Sequence, residues 1–109
     1  MKRSIVAVLF AIAAGSMGVM IGEGIAVAVP SGEALFKQHC AVCHVDGGNI
    51  INPKKTLHKA DRDANAIKSA DAIIKIMRNP GPGMTKFDEK TIPGSEAKLI
   101  ADYILKTFK

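Results

Sequence analysis

Cys40-Ala41-Val42-Cys43-His44 is the stretch on which the fold turns. Two thiols three residues apart lie on one face of a helical turn. So placed, each can add to one of the two vinyl groups on a haem edge. The next residue, His44, leaves the end of the turn and reaches under the ring to the iron. The pattern C-x-x-C-H therefore reads as attachment of one covalent haem c. Three other readings compete. A redox dithiol wants a strand-rich thioredoxin-like setting, and no stretch here alternates with period two over strand length. Structural zinc wants four ligands in two separated pairs; the only other histidines are His39 and His58, and there is no further cysteine. A plain disulfide beside a bystander histidine is the third.

Working outward, Pro30-Ser31 opens a helix with Ser31 as N-cap and Glu33 in its first turn. Leu35 and Phe36 precede the cysteines by about a turn, and the spacing predicts a helix over Gly32–Cys43. Asp46-Gly47-Gly48-Asn49 breaks it. Ile50 to Leu57 reads as loop, and residues 57–68 as polar, with one short helix. Ala70 to Arg78 is a clearer helix, with Ile73, Ile74, Ile76 and Met77 as its apolar positions. Asn79-Pro80-Gly81-Pro82-Gly83 ends it abruptly. Pro93-Gly94-Ser95 opens a last helix to about Phe108, with Leu99, Ile100, Tyr103, Ile104 and Phe108 as the buried stripe. The expected class is all-α: three to four helices around one haem.

The whole chain has 109 residues, 48% apolar and 23% charged, which rules out disorder. Lys2 and Arg3 precede a charge-free run from Ser4 to Gly22, and Ala26-Val27-Ala28 is a small-residue cleavage site. A second such site, Ala13-Ala14-Gly15, stands earlier. Residues 1–28 are thus expected to be a secretory signal, with an uncleaved membrane anchor as the rival. Either way residues 29–109 lie in the periplasm or otherwise outside the cytoplasm. Removing 1–28 takes away Lys2, Arg3 and Glu23 and leaves 81 residues with 13 basic and 9 acidic groups, a net of +4. The charges are interspersed, so nucleic-acid binding is disfavoured. Aromatics are 5% of the chain and Trp is absent. So small a domain has a thin core, and a covalently held macrocycle supplies the missing apolar centre.

The sixth iron ligand decides the chemistry, because an open position permits gas or peroxide chemistry and a filled one favours electron transfer. Met77 sits at helical spacing on an apolar face and reads as core. Met84 sits in Gly81-Pro82-Gly83-Met84-Thr85, a stiff loop whose glycines let backbone approach a flat ring. Its thioether is a soft ligand. His58, amid Lys55, Lys59 and Asp61, is the alternative ligand and otherwise a solvated histidine. His39 reads as surface.

Gly32, Phe36, Cys40, Cys43, His44, a loop Met and an aromatic in the last helix together resemble the class I monohaem cytochromes c. The likeness is closest to cytochrome c6 and the c6-like cytochromes of metal-reducing bacteria, and covers about residues 31–108. Asn49 to Leu57 is similar to the haem-side loop of that group. The resemblance implies thioether bonds from Cys40 and Cys43, with His44 as proximal and Met84 as distal ligand. It implies that the Pro53 carbonyl accepts the His44 ring N–H and orients it. It also implies that Gly32 and Phe36 cross Tyr103 where the first and last helices meet. Two departures stand out: Thr85 follows the loop Met where the family often has Pro, and Phe87 takes the place of a loop Trp.

The leading expectation is a monomeric one-electron carrier and not an enzyme. A haem peroxidase or gas sensor, with an open sixth site and His58 as its distal group, is the alternative. The expected partners are redox proteins with acidic docking surfaces, met by Lys54, Lys55 and Lys86 around the haem edge.

Overall fold

The computed structural model describes residues 28–109 and, before them, the isolated glycines 15, 18, 22 and 24. The export segment read from the sequence therefore lies almost wholly outside the described residues. Four α-helices follow one another: α1 (Gly32–His39), α2 (Lys59–Ala64), α3 (Ala70–Arg78) and α4 (Gly94–Thr107), with a 3-10 turn at Val45–Gly47 between α1 and α2. No strand occurs among the described residues. The all-α expectation holds.

Local chemistry starts the helices where polar side chains replace missing backbone partners. Ser31 caps α1 by accepting the Ala34 N–H at 3.1 Å, and Ser69 caps α3 by accepting the Ala72 N–H at 3.1 Å. Before α4, the Asp88 side chain accepts from the Thr91 and Lys90 backbone N–H groups. The Thr91 backbone N–H holds the Asp88 carboxyl below its usual range. That turn delivers Ile92, fully buried, which periodicity did not single out because it lies outside any helix.

α4 is the common support: both α1 and α3 pack on it. Its buried stripe is Ala97, Ile100, Ala101 and Ile104, so the face is turned slightly from the expected one. Leu99 and Tyr103 are half-buried at its edge. The α1–α4 crossing needs a glycine. A Cβ on Gly32 would stand 2.3 Å from the Leu99 carbonyl oxygen and 3.0 Å from the Tyr103 Cβ. Phe36 sits beside this crossing, its ring centroid 5.3 Å from that of Tyr103 and 5.4 Å from that of Phe108.

One backbone feature differs from the expectation. α1 ends at His39 and not at Cys43, because the Phe36 carbonyl accepts from both Cys40 N and Ala41 N, which widens the last turn. The polar segment holds the one short helix expected of it, the six-residue α2. α2 closes with Ala66 N bonded to Asp63 O (3.1 Å) and Ile67 N bonded to Arg62 O (2.8 Å). This is the Schellman arrangement, whose left-handed position normally takes glycine. Here it is Ala66, at φ 59°.

Two substitutions test this packing. Gly32→Ala must push α1 off α4 and should cost about 1–3 kcal/mol. Ala66→Gly relieves about 1–2 kcal/mol of left-handed strain against about 0.4–1 kcal/mol of added unfolded-state entropy. It should therefore raise stability by roughly 0.5–1 kcal/mol. Denaturant unfolding of the folded protein measures both.

Candidate haem-binding site

The motif is held in a tight turn. Cys43 N bonds to Cys40 O at 3.1 Å and His44 N to the same oxygen at 2.9 Å. This keeps the helical i, i+3 relation of the two cysteines although α1 has ended. Both are free. Cys40 is buried, and burial pushes its thiol up to about 11. Among the described residues no three His, Cys, Asp or Glu side chains gather to hold a metal ion, so the zinc arrangement finds no support there.

His44 is oriented by its own loop. Its Nδ1–H donates to the Gly48 carbonyl at 2.7 Å. A carbonyl only accepts, so the proton resides on Nδ1 and the Nε2 lone pair is left for a metal. The expected acceptor was Pro53, and this is a correction. Asp46 and Gly47 both take positive φ (51° and 79°) and turn the chain back, so that Gly48 meets the ring. Pro53 is exposed on the following loop and is not among the residues that line the cleft. The turn is closed from outside by Phe108, whose ring lies so near Gly47 that a Cβ there would meet it at 2.5 Å.

Cys40, Cys43 and His44 line a cleft of about 540 Å³ together with Gly81, Pro82, Gly83 and Met84. Ligand pockets run to about 300–1,000 Å³ and are mostly apolar. This one is floored by Ile73, Met77, Ile100 and Ile104 and edged by Leu57, Ile67 and Phe87. Its shape and its lining fit a flat apolar macrocycle bonded through both thiols. The Met84 loop is tied at its base: Phe87 N donates to Met77 O at 2.9 Å, and Arg78 Nη1 donates to Phe87 O at 3.1 Å. Arg78 Nη2 also stands 3.1 Å from Glu89 Oε1, off the hydrogen-bond direction. Gly83, at φ 90°, faces the Ile51 side chain.

The two methionines differ in burial. Met77 is buried on α3, and Met84 is half-buried on its loop; both reach the cleft lining. His58 is exposed, meets the edge of Phe108 and does not line the cleft, so it is not placed as a distal group. His39 corrects the surface expectation: it is half-buried, lines the cleft and packs edge-on against Phe87 at 6.1 Å.

Sequence reasoning missed Arg62, Arg78 and Gly48. Arg62 sits between Asp61 and Asp63 and reads as solvated; its burial depends on Phe108, far along the chain. Arg78 reads as a helix-end cation, and its loop contacts had no local signal. For Gly48, the paired glycines marked a sharp turn but not which carbonyl it would present.

A family model described as cytochrome C oxidase, cbb3-type, subunit III matches residues 27–104. Cytochrome c6 of Rippkaea orientalis is 40% identical over 75 residues, 69% of this chain and 67% of that protein. Outer membrane cytochrome F (OmcF) of Geobacter sulfurreducens superposes with a TM-score of 0.70 at 44% identity, covering 72% of this chain and all of that one. Cytochrome c6B of Synechococcus sp. WH8102 does so with a TM-score of 0.63 at 37% identity, covering 69% and 84%. On sequence and fold together, the chain belongs to the class I cytochromes c, close to cytochrome c6, and its cofactor is the one covalent c-type haem of that family.

Proposed function

We propose that this haem-based electron carrier binds its iron between His44 and Met84 and works in an extracytoplasmic electron-transfer chain. The observation that supports it is the cleft itself, which the C-x-x-C-H turn and the Met84 loop both line. The haem, when bound, supplies one-electron exchange between ferric and ferrous iron. The protein's part is to hold the ligands still. Gly48 fixes the His44 ring, and Met77, Phe87 and Arg78 fix the base of the Met84 loop. Ligands that stay in place in both oxidation states keep reorganisation small, and a Met/His pair raises the potential. The apolar floor excludes water. Export is proposed from Lys2, Arg3, the charge-free run and Ala26-Val27-Ala28. It places residues 29–109 in the periplasm or another extracytoplasmic compartment.

The carrier acts with redox partner proteins, and we propose that they dock at the cleft mouth through acidic surfaces. Val42, Ile50 and Ile51 are exposed apolar residues there or on the adjoining loop. Lys54, Lys55 and Lys86 are exposed around them, and none is in an ion pair among the described residues. No Asp or Glu lines the cleft. A basic rim of this kind steers anionic partners, and salt weakens it.

Met84→Ala should open the sixth position, lower the midpoint potential and let carbon monoxide bind the ferrous iron. Met77→Ala should keep the Met-to-iron charge-transfer band and cost about 2–5 kcal/mol of stability. Loss of that band from Met77→Ala instead would refute the ligand assignment. For docking, electron exchange with small anionic and cationic reagents of matched potential is followed across ionic strength. The anionic reagent should be faster at low salt and slow as salt rises; equal, salt-independent rates would end the basic-rim reading.

A further inference from the structure

Arg62 is 4% exposed and lines the haem cleft. Its Nε donates to the Leu57 carbonyl at 2.7 Å and its Nη2 to the Phe108 carbonyl at 3.1 Å. These carbonyls satisfy two N–H groups and leave the charge uncompensated. No carboxylate stands within ion-pair distance of Arg62 among the described residues. A buried charge is held at high cost unless an opposite charge meets it. The cleft offers none of its own. Its charged or titratable lining groups are His39, the motif's Cys40, Cys43 and His44, Lys55 and Arg62. The burial of Arg62 therefore makes physical sense only if what fills the cleft is itself anionic near that point.

We propose that Arg62 is the buried counter-cation for the haem's carboxylates. The part of the cleft lined by Arg62 and Lys55 is then the carboxylate-binding subsite, with Lys55 as its exposed, solvent-screened member. A guanidinium suits this task because its fork can meet a carboxylate while other N–H groups stay on backbone carbonyls. Arg62 thereby does two things. It ties Leu57 to the C-terminal Phe108, and it places an unscreened positive charge close to the redox centre. A positive charge there disfavours the ferric state and holds the potential up. The inference rests on the haem occupying this cleft and not on which residue is the sixth ligand.

The test is the midpoint potential of the parent, Arg62→Gln, Arg62→Lys and Lys55→Gln holoproteins. Each is measured at about 10 mM and about 1 M salt, where the Debye length is ~30 and ~3 Å. Arg62→Gln should shift the potential downward by the same amount at both salts, and Arg62→Lys should recover most of the shift. Lys55→Gln should shift it less, and only at low salt. An unchanged potential in Arg62→Gln overturns the proposal, as does a shift that Lys fails to restore, which marks a purely structural role. The visible spectrum of the parent reports the His/Met reading separately. Should Arg62→Gln yield no holoprotein, NMR of the ferrous parent decides. Through-space contacts from the haem carboxylate side chains to the Arg62 side chain are expected; contacts to Gly81 and Pro82 in their place refute the assignment.

Discussion

The approach of α1 to α4 at Gly32 constrains the rest of the molecule. α1 has only eight residues, so its angle on α4 decides where Cys40 emerges. A side chain at Gly32 would strike the Leu99 carbonyl, and backbone cannot move aside as a side-chain tip can. The rings of Phe36, Tyr103 and Phe108 lock the rotation of α1 about this point. Packing at the start of α1 thus sets where Cys40 and the turn that follows it stand in the cleft lining.

The walls of the cleft belong to different parts of the chain. One comes from the turn after α1 and the loop that follows, the other from α3 and the Met84 loop. α1 and α3 each pack on α4. The covalent haem of the family, seated in this cleft, would join them. This is how a domain with so few large apolar side chains acquires a continuous centre. It also explains why buried polarity gathers where it does: Arg62 and Arg78 are tied to main-chain carbonyls at the margins of the cleft.

Much of this was legible in the residues. Ser31, the alternation of the Ala70–Arg78 face and the Pro93-Gly94-Ser95 opening are local signals, and each marks a helix where one stands. The C-x-x-C-H spacing gave the attachment turn and the class of cofactor. Contacts distant along the chain were not legible. The choice of Gly48 over Pro53 follows from two successive positive φ angles, which glycine spacing hints at but does not locate. Arg62 carries no local sign of burial, because its sequence neighbours are charged. His39 looked like a surface residue until Phe87 came to lie against it. Ile92 is buried by a turn, and turns have no period to reveal an inward face.

The place of Phe108 bears on the order in which this protein is completed. Its ring covers Gly47, and its carbonyl receives Arg62. The turn that aims His44 is therefore closed by a residue that follows α4. A contact so distant along the chain forms only after a long loop has closed, so this cover comes late in folding. Until then the motif lacks its lid and both thiols remain within reach. Docking of α4 thus both supports α1 and finishes the turn that aims His44.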